Sequence, residues 1–184
     1  MRLFTAVDLG DDVRAALDSF LKRLRPAAKV SWSPTDHLHI TTKFIGEWPE
    51  ARLPEMTRAL SAVPAGNSTG AIDITVKGLG WFPDERKPRV FWAGVDGGDS
   101  LRTLARLTDG AAAKLGVPAE QRAYAPHLTL ARIRESVPLD PLRAALRSLP
   151  SGCGFDFGSF RATQFALYLS AGGKYTRLAA FALE

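Results

Sequence analysis

The chain reads as an α+β protein made of two copies of one β-α-β-α-β unit, packed as lobes around a pseudo-two-fold axis. Three observations predict this. The opening Arg2-Leu-Phe-Thr-Ala-Val-Asp8 and Arg89-Val-Phe-Trp-Ala-Gly-Val-Asp96 share, apart from one inserted residue, Arg, an aliphatic residue, Phe, Ala, Val and Asp in order. The tripeptide His39-Ile-Thr41 returns as His127-Leu-Thr129. The opening arginine precedes the histidine by 37 residues in one half and by 38 in the other. The repeats run roughly 1–84 and 87–184 within a single domain of 184 residues. Each lobe is expected to carry one sheet with helices outside it.

The elements follow in order. Arg2 to Asp8 is an apolar, β-prone run and reads as a strand. Val13, Ala16, Leu17, Phe20, Leu21 and Leu24 recur at helical spacing behind the N-cap candidates Asp11 and Asp12. His39 to Phe44 is strand-like. Leu53, Met56, Leu60 and Val63 form a second helical stripe. A loop over Pro64 to Gly70 leads to strands at Ala71–Val76 and near Gly78–Phe82. In the second half Arg89 to Asp96 is a strand, and Leu101, Leu104, Thr108, Ala111 and Leu115 mark a helix behind Asp99 and Ser100. His127 to Arg132 is the second histidine strand, and Leu139, Leu142, Leu146 and Leu149 the fourth helix. A loop over Pro150 to Gly154 precedes strands at Phe155–Phe160, Gln164–Ser170 and Tyr175–Leu183. Ala71–Val76 and Phe155–Phe160 stand as counterparts in the two repeats.

Composition narrows the function classes. Hydrophobic residues are 46% and charged residues 23% of the chain, as in a globular protein with a core. The single cysteine, Cys153, permits no internal disulfide and reads as a loop residue; this suits a reducing cytoplasm. The apolar run Leu3 to Leu9 is short and contains Asp8, unlike a secretory signal. No stretch has the roughly 18 apolar residues of a membrane span. Net charge +5 and a pI near 9.7 suit an anionic partner such as RNA.

On a strand, residues i and i+2 share a face. His39 with Thr41, and His127 with Thr129, therefore each present an imidazole beside a hydroxyl. With an ordinary pKa near 6.5, one ring serves as base and the other as acid close to neutrality. The two threonines supply donors to phosphate oxygens, where charge builds in the transition state. Parity adds Lys43 to the His39 face. It puts Arg132 on the opposite face from His127, unless a bulge intervenes. Trp32, Phe44 and Tyr124 lie near enough in sequence to stack on a base. His37 makes a His-x-His pair with His39, and with His127 offers three imidazoles for a metal. His37 has no counterpart in the second half, where Ala125 stands, and a metal site leaves the two threonines unexplained. The expectation is no metal and no cofactor.

The two motifs, His39-Ile-Thr-Thr42 and His127-Leu-Thr-Leu130, resemble the signature of the two-histidine phosphoesterase superfamily. Trp32-x-Pro34, Leu38 to Glu47, Val90-Phe-Trp-Ala-Gly94, Pro126 to Arg132 and Tyr175-Thr-x-Leu178 are similar to the bacterial and archaeal RNA 2′,3′-cyclic phosphodiesterases, formerly called 2′-5′ RNA ligases. The resemblance implies a bilobal fold with two mostly antiparallel sheets facing across a central cleft. It implies metal-independent hydrolysis of RNA 2′,3′-cyclic phosphates to 2′-phosphomonoesters, with 2′-5′ ligation as a reverse side activity. It assigns His39 as proton donor and His127 as proton acceptor. It raises Arg132 as a substrate contact despite its parity. Where relatives carry Glu-Ser in the late strand, this chain has Leu169-Ser170, so a polar role there falls to Ser170, Lys174 or Tyr175. The partner is an RNA or oligonucleotide end, the chain a cytoplasmic monomer. Two alternatives stay open: an RNA-binding module without turnover, and a His-ligated metal hydrolase.

Overall fold

Strand β1 (Arg2–Asp8) is buried at five successive residues, Leu3 to Val7, so both of its faces are covered. That places it inside a sheet rather than at an edge. The computed structural model describes residues 1–65, 70–134, 137–149 and 155–183. Cys153 and most of the loops expected at 64–70 and 150–154 lie outside the described residues.

Two sheets are built from nine strands among the described residues. One has four strands in the order β3-β1-β8-β9, with β3 at His39–Glu47, β8 at Gln164–Ala171 and β9 at Lys174–Ala182. The other has five in the order β2-β6-β5-β4-β7. Its strands are β2 (Ser31–Trp32), β4 (Ile72–Phe82), β5 (Val90–Asp96), β6 (His127–Arg132) and β7 (Asp156–Ala162). Every pairing is antiparallel.

The repeat and the sheets do not coincide. One sheet per half was the expectation, but β4 leaves the first half and pairs with β5 and β7 of the second. In return β8 and β9 of the second half complete the sheet of β1. β4 beside β5 thus stands where β8 stands beside β1, and β4 and β7 are neighbours rather than counterparts. The reason is local: β4 and β5 are consecutive, and antiparallel strands pair through a short connection without a crossover. The two strands expected at 71–76 and 78–82 are one strand, β4, with a register shift after Val76.

The helices interlock the sheets in the same way. α1 (Asp11–Leu24) follows β1 yet packs against β7 of the other sheet, burying Val13, Leu17, Leu21 and Leu24. α3 (Gly98–Ala113) follows β5 yet packs against β3. α2 (Leu53–Ala65) lies on α3 and β9, and α4 (Asp140–Ser148) contacts α1. Fully burying a Leu side chain contributes about 1.5–3 kcal/mol, so these stripes hold the exchanged elements in place. The N-caps are Gly10 and Gly97, not the aspartates expected there. A Cβ at Gly10 would lie 2.7 Å from Phe160 Cβ, and one at Gly97 2.6 Å from Leu101 Cβ. Asp11, Asp12 and Asp99 occupy the first turns instead, where negative charge complements the helix dipole. Among the described residues no helix is long and apolar enough to cross a membrane.

Both histidine strands carry a β-bulge at the same point of the motif. In β3 the register passes from Ala6↔Thr41 to Thr5↔Lys43 and skips Thr42. In β6 it passes from Trp92↔Thr129 to Phe91↔Ala131 and skips Leu130. Thr42 and Lys43 are consequently buried in succession, as are Leu130 and Ala131, while Phe44 and Arg132 emerge. Thr42 satisfies its hydroxyl through a buried 2.7 Å hydrogen bond with Thr5 Oγ1. Thr42→Val leaves Thr5 unpaired and is expected to cost about 1–3 kcal/mol of stability, while Thr5→Val combined with Thr42→Val recovers most of it. Denaturant midpoints check this; a double variant no more stable than Thr42→Val would refute it.

Candidate active site

His39 and His127 open β3 and β6, and the two strands approach each other across the central cleft. Their rings are held alike. His39 Nδ1 lies 2.7 Å from the carbonyl oxygen of His37, and His127 Nδ1 lies 2.8 Å from that of Ala125. A carbonyl only accepts, so each Nδ1 carries the hydrogen and donates it. Each Nε2 is then the working atom: a bare acceptor in the neutral ring, a donor in the imidazolium. One constraint thereby prepares both rings for either direction of proton transfer.

The surroundings of the rings differ. Phe4 stacks on His39 with centroids 4.6 Å apart, and Tyr175 meets it edge-on at 5.2 Å. Burial among these rings holds the His39 pKa below the ordinary 6.5. The His37 carbonyl and the charge of Asp8 pull it back up, and the charges of His37 and Arg132 push it further down. Asp8 pairs in register with His39 and accepts a 2.6 Å hydrogen bond from the Tyr168 hydroxyl. Burial and Asp8 together keep that phenol protonated well above its usual range. His127 has one close ring neighbour among the described residues, Phe82, edge-on at 5.0 Å.

The cleft has a volume of about 470 Å³ and is lined by both histidines, Thr41, Thr129, Arg132 and Tyr175, among others. The structure therefore brings together His39, Thr41, His127 and Thr129. Arg132 joins them against its parity. The skipped Leu130 reverses the alternation, so the arginine turns toward the cleft.

Three candidates do not line this cleft, each for a physical reason, although Lys43 and Tyr124 line the cavity next to it. The bulge at Thr42 turns Lys43 away from His39. The lysine is 7% exposed, and its ammonium binds the Asp109 carboxylate and the Pro118 carbonyl at 2.8 Å. Tyr124 lines the adjoining cavity rather than this cleft. Its hydroxyl donates to the Thr41 carbonyl at 2.9 Å, and burial raises its pKa. Trp32 packs edge-on against Phe91 at 6.3 Å, with its indole N–H on the Ala28 carbonyl, and lines neither this cleft nor its neighbour.

Nothing in the sequence singles out Phe4 and Phe82; Phe44 is named above as a stacking candidate and Tyr175 as one of three late-strand polar candidates. The repeat held the signal for Phe44. It stands five residues after His39, where Arg132 stands five after His127. His37 lies in a 3-10 turn over Thr35–His37, with its ring 4.9 Å from Tyr175. Among the described residues no three His, Cys, Asp or Glu side chains converge as a metal shell requires.

The chain is 31% identical over 188 residues to the RNA 2′,3′-cyclic phosphodiesterase of Methanothermobacter thermautotrophicus, covering 100% of this chain and 99% of that one. It is 31% identical over 185 residues to the protein of the same name from Geobacillus stearothermophilus, covering 98% of this chain but 56% of that longer protein. The chain thus spans little more than half of the Geobacillus relative. The crystal structure of E. coli LigT complexed with 3′-AMP superposes with a TM-score of 0.70 at 27% identity, covering 99% of this chain and 97% of LigT. The sequence profile of the 2′-5′ RNA ligase superfamily matches residues 13–174, and with the paired histidine strands this shows that the chain belongs to that superfamily.

Proposed function

We propose that this chain hydrolyses the 2′,3′-cyclic phosphate of RNA ends to a 2′-phosphomonoester by metal-independent acid–base catalysis, with residues 1–184 acting as one catalytic unit. One observation carries the proposal: two histidines in one cleft, each with Nδ1–H committed to a backbone carbonyl and Nε2 left for chemistry. The names of the relatives and the nucleotide bound by LigT support the substrate class.

The cyclic phosphate lies between β3 and β6. His127 Nε2 takes a proton from water, and the resulting hydroxide attacks phosphorus. The 3′ oxygen departs in line and takes the proton from His39 Nε2. His39 ends neutral, His127 ends as imidazolium, and exchange with solvent resets both. Thr41, Thr129 and Arg132 face the phosphate oxygens, whose charge rises in the transition state. Fixed donors of this type are typically worth about 10²–10³ in rate each. The direction of proton flow follows the family assignment; burial lowers the pKa of His39, which makes its imidazolium a stronger acid but less populated near neutrality. When an RNA 5′-hydroxyl replaces water, the same sequence of transfers joins a 2′-5′ linkage: His127 takes the hydroxyl proton and His39 protonates the departing 3′ oxygen.

The test is an oligonucleotide ending in a 2′,3′-cyclic phosphate, incubated with the chain in excess EDTA. The expected product is the 2′-phosphate at an undiminished rate. A 3′-phosphate product, loss of turnover with chelator, or binding without turnover would each overturn the proposal.

A further inference from the structure

A second cavity of about 840 Å³ adjoins the cleft, and Thr41, Phe44 and His127 line both. The chemistry described above does not use it. Its far wall is one face of α3, where Arg102 and Arg106 stand one turn apart. Arg122 joins them from the segment that leads into β6. Among the described residues Arg102 makes an exposed ion pair with Asp99 at 3.3 Å. Exposed pairs of this kind hold a side chain weakly, about 0–1 kcal/mol. The near wall is aromatic: Phe82, edge-on to His127, and Phe44, which is 63% exposed at the rim shared with the cleft.

Cations tracking a backbone beside exposed rings are the physical recipe for single-stranded nucleic acid. A cyclic mononucleotide has no phosphodiester to place on these arginines; an RNA end has one at every step upstream. We propose that the second cavity receives the RNA chain leading to the cyclic end, its phosphodiesters on Arg102, Arg106 and Arg122 and a base against Phe82 or Phe44. The site thereby selects oligonucleotides over cyclic mononucleotides. This rests on the hydrolase reading above and names the substrate class of the same site.

Two substrates separate the two proposals: a 2′,3′-cyclic mononucleotide and an oligonucleotide ending in the same cyclic nucleotide. Wild type is compared with the charge-reversed Arg102→Glu/Arg106→Glu variant, and circular dichroism and melting confirm that both are folded. The variant is expected to raise KM for the oligonucleotide at least tenfold and to flatten its dependence on salt. Two lost phosphate contacts reduce the log–log slope by about 1.4. kcat/KM for the mononucleotide is expected to stay within twofold. Equal losses on both substrates, or no loss on either, would overturn the cavity assignment while leaving the hydrolase standing. Failure of the wild type on both substrates would overturn the hydrolase itself. A second variant, Arg122→Glu, is expected to give the same split and guards against misfolding of α3.

Discussion

His39→Ala and His127→Ala are each expected to lower turnover of a 2′,3′-cyclic phosphate by about 10²–10⁴ fold, and their residual activities respond to pH in opposite senses. The wild-type profile is expected to be bell-shaped, because the proposed mechanism needs one ring protonated and the other not. Without His39 the remaining demand is for neutral His127, so the residual rate climbs with pH to a plateau. Without His127 the remaining demand is for protonated His39. That rate falls as pH rises through the His39 pKa, which burial against Phe4 and Tyr175 holds below 6.5. The two limbs assign acid and base in a way that the bell alone does not. Interchanged limbs would reverse the proton flow, and full activity in both variants would end the two-histidine scheme. Replacing the departing 3′ oxygen with sulfur gives an independent reading. A thiolate leaves without a proton, so that substrate rescues His39→Ala and not His127→Ala.

Lys43→Met is expected to cost about 3–5 kcal/mol, because it strands a partly buried carboxylate at Asp109. For a chain of this size that lowers the melting temperature by about 6–20 °C. Replacing both partners, as in Lys43→Met with Asp109→Leu, is expected to restore much of the loss. The pair also bears on the active site. Asp109 accepts a 3.1 Å hydrogen bond from the Glu120 amide, and Lys43 holds the Pro118 carbonyl. Both anchor the segment that carries Tyr124 and Ala125, whose carbonyl sets the His127 ring. Below its melting temperature the single variant should lose less than tenfold in kcat, because the ammonium does not face the cleft. Thermal melts and kcat at low temperature separate these quantities. Unchanged melting with a large loss of kcat would return Lys43 to the substrate.

The repeat made much of the fold readable. Matched openings, matched offsets and the paired tripeptide located β1 with β5 and β3 with β6, which are the strands that position the site. Apolar spacing located the four helices, since a stripe that recurs every three to four residues has few other uses. The exchange of β4 against β8 and β9 was not readable. Strand pairing is decided between distant segments, and the period of two is the same whichever sheet a strand joins. The N-caps were misplaced for a related reason. Gly10 and Gly97 are set by the close approach of Phe160 and Leu101, and one of those contacts spans most of the chain.

In the site, parity placed His39, Thr41, His127 and Thr129 correctly up to the third residue of each motif. Beyond it parity misplaced Lys43 and Arg132 together, and one cause accounts for both. A single extra residue in β3 and in β6 turns every later side chain to the other face, as a one-residue slip in register would. The chain by itself determined the candidate residue types of the site, their duplication and the strands that bear them, because these rest on local pattern and internal comparison. Only the tertiary structure decided that Arg132 and Phe44 face the cleft and that Lys43 is buried with Asp109. It also decided that each imidazole is committed at Nδ1 by a backbone carbonyl. Those outcomes depend on bulges, long-range packing and ring orientation, which are set by atoms far apart in the sequence.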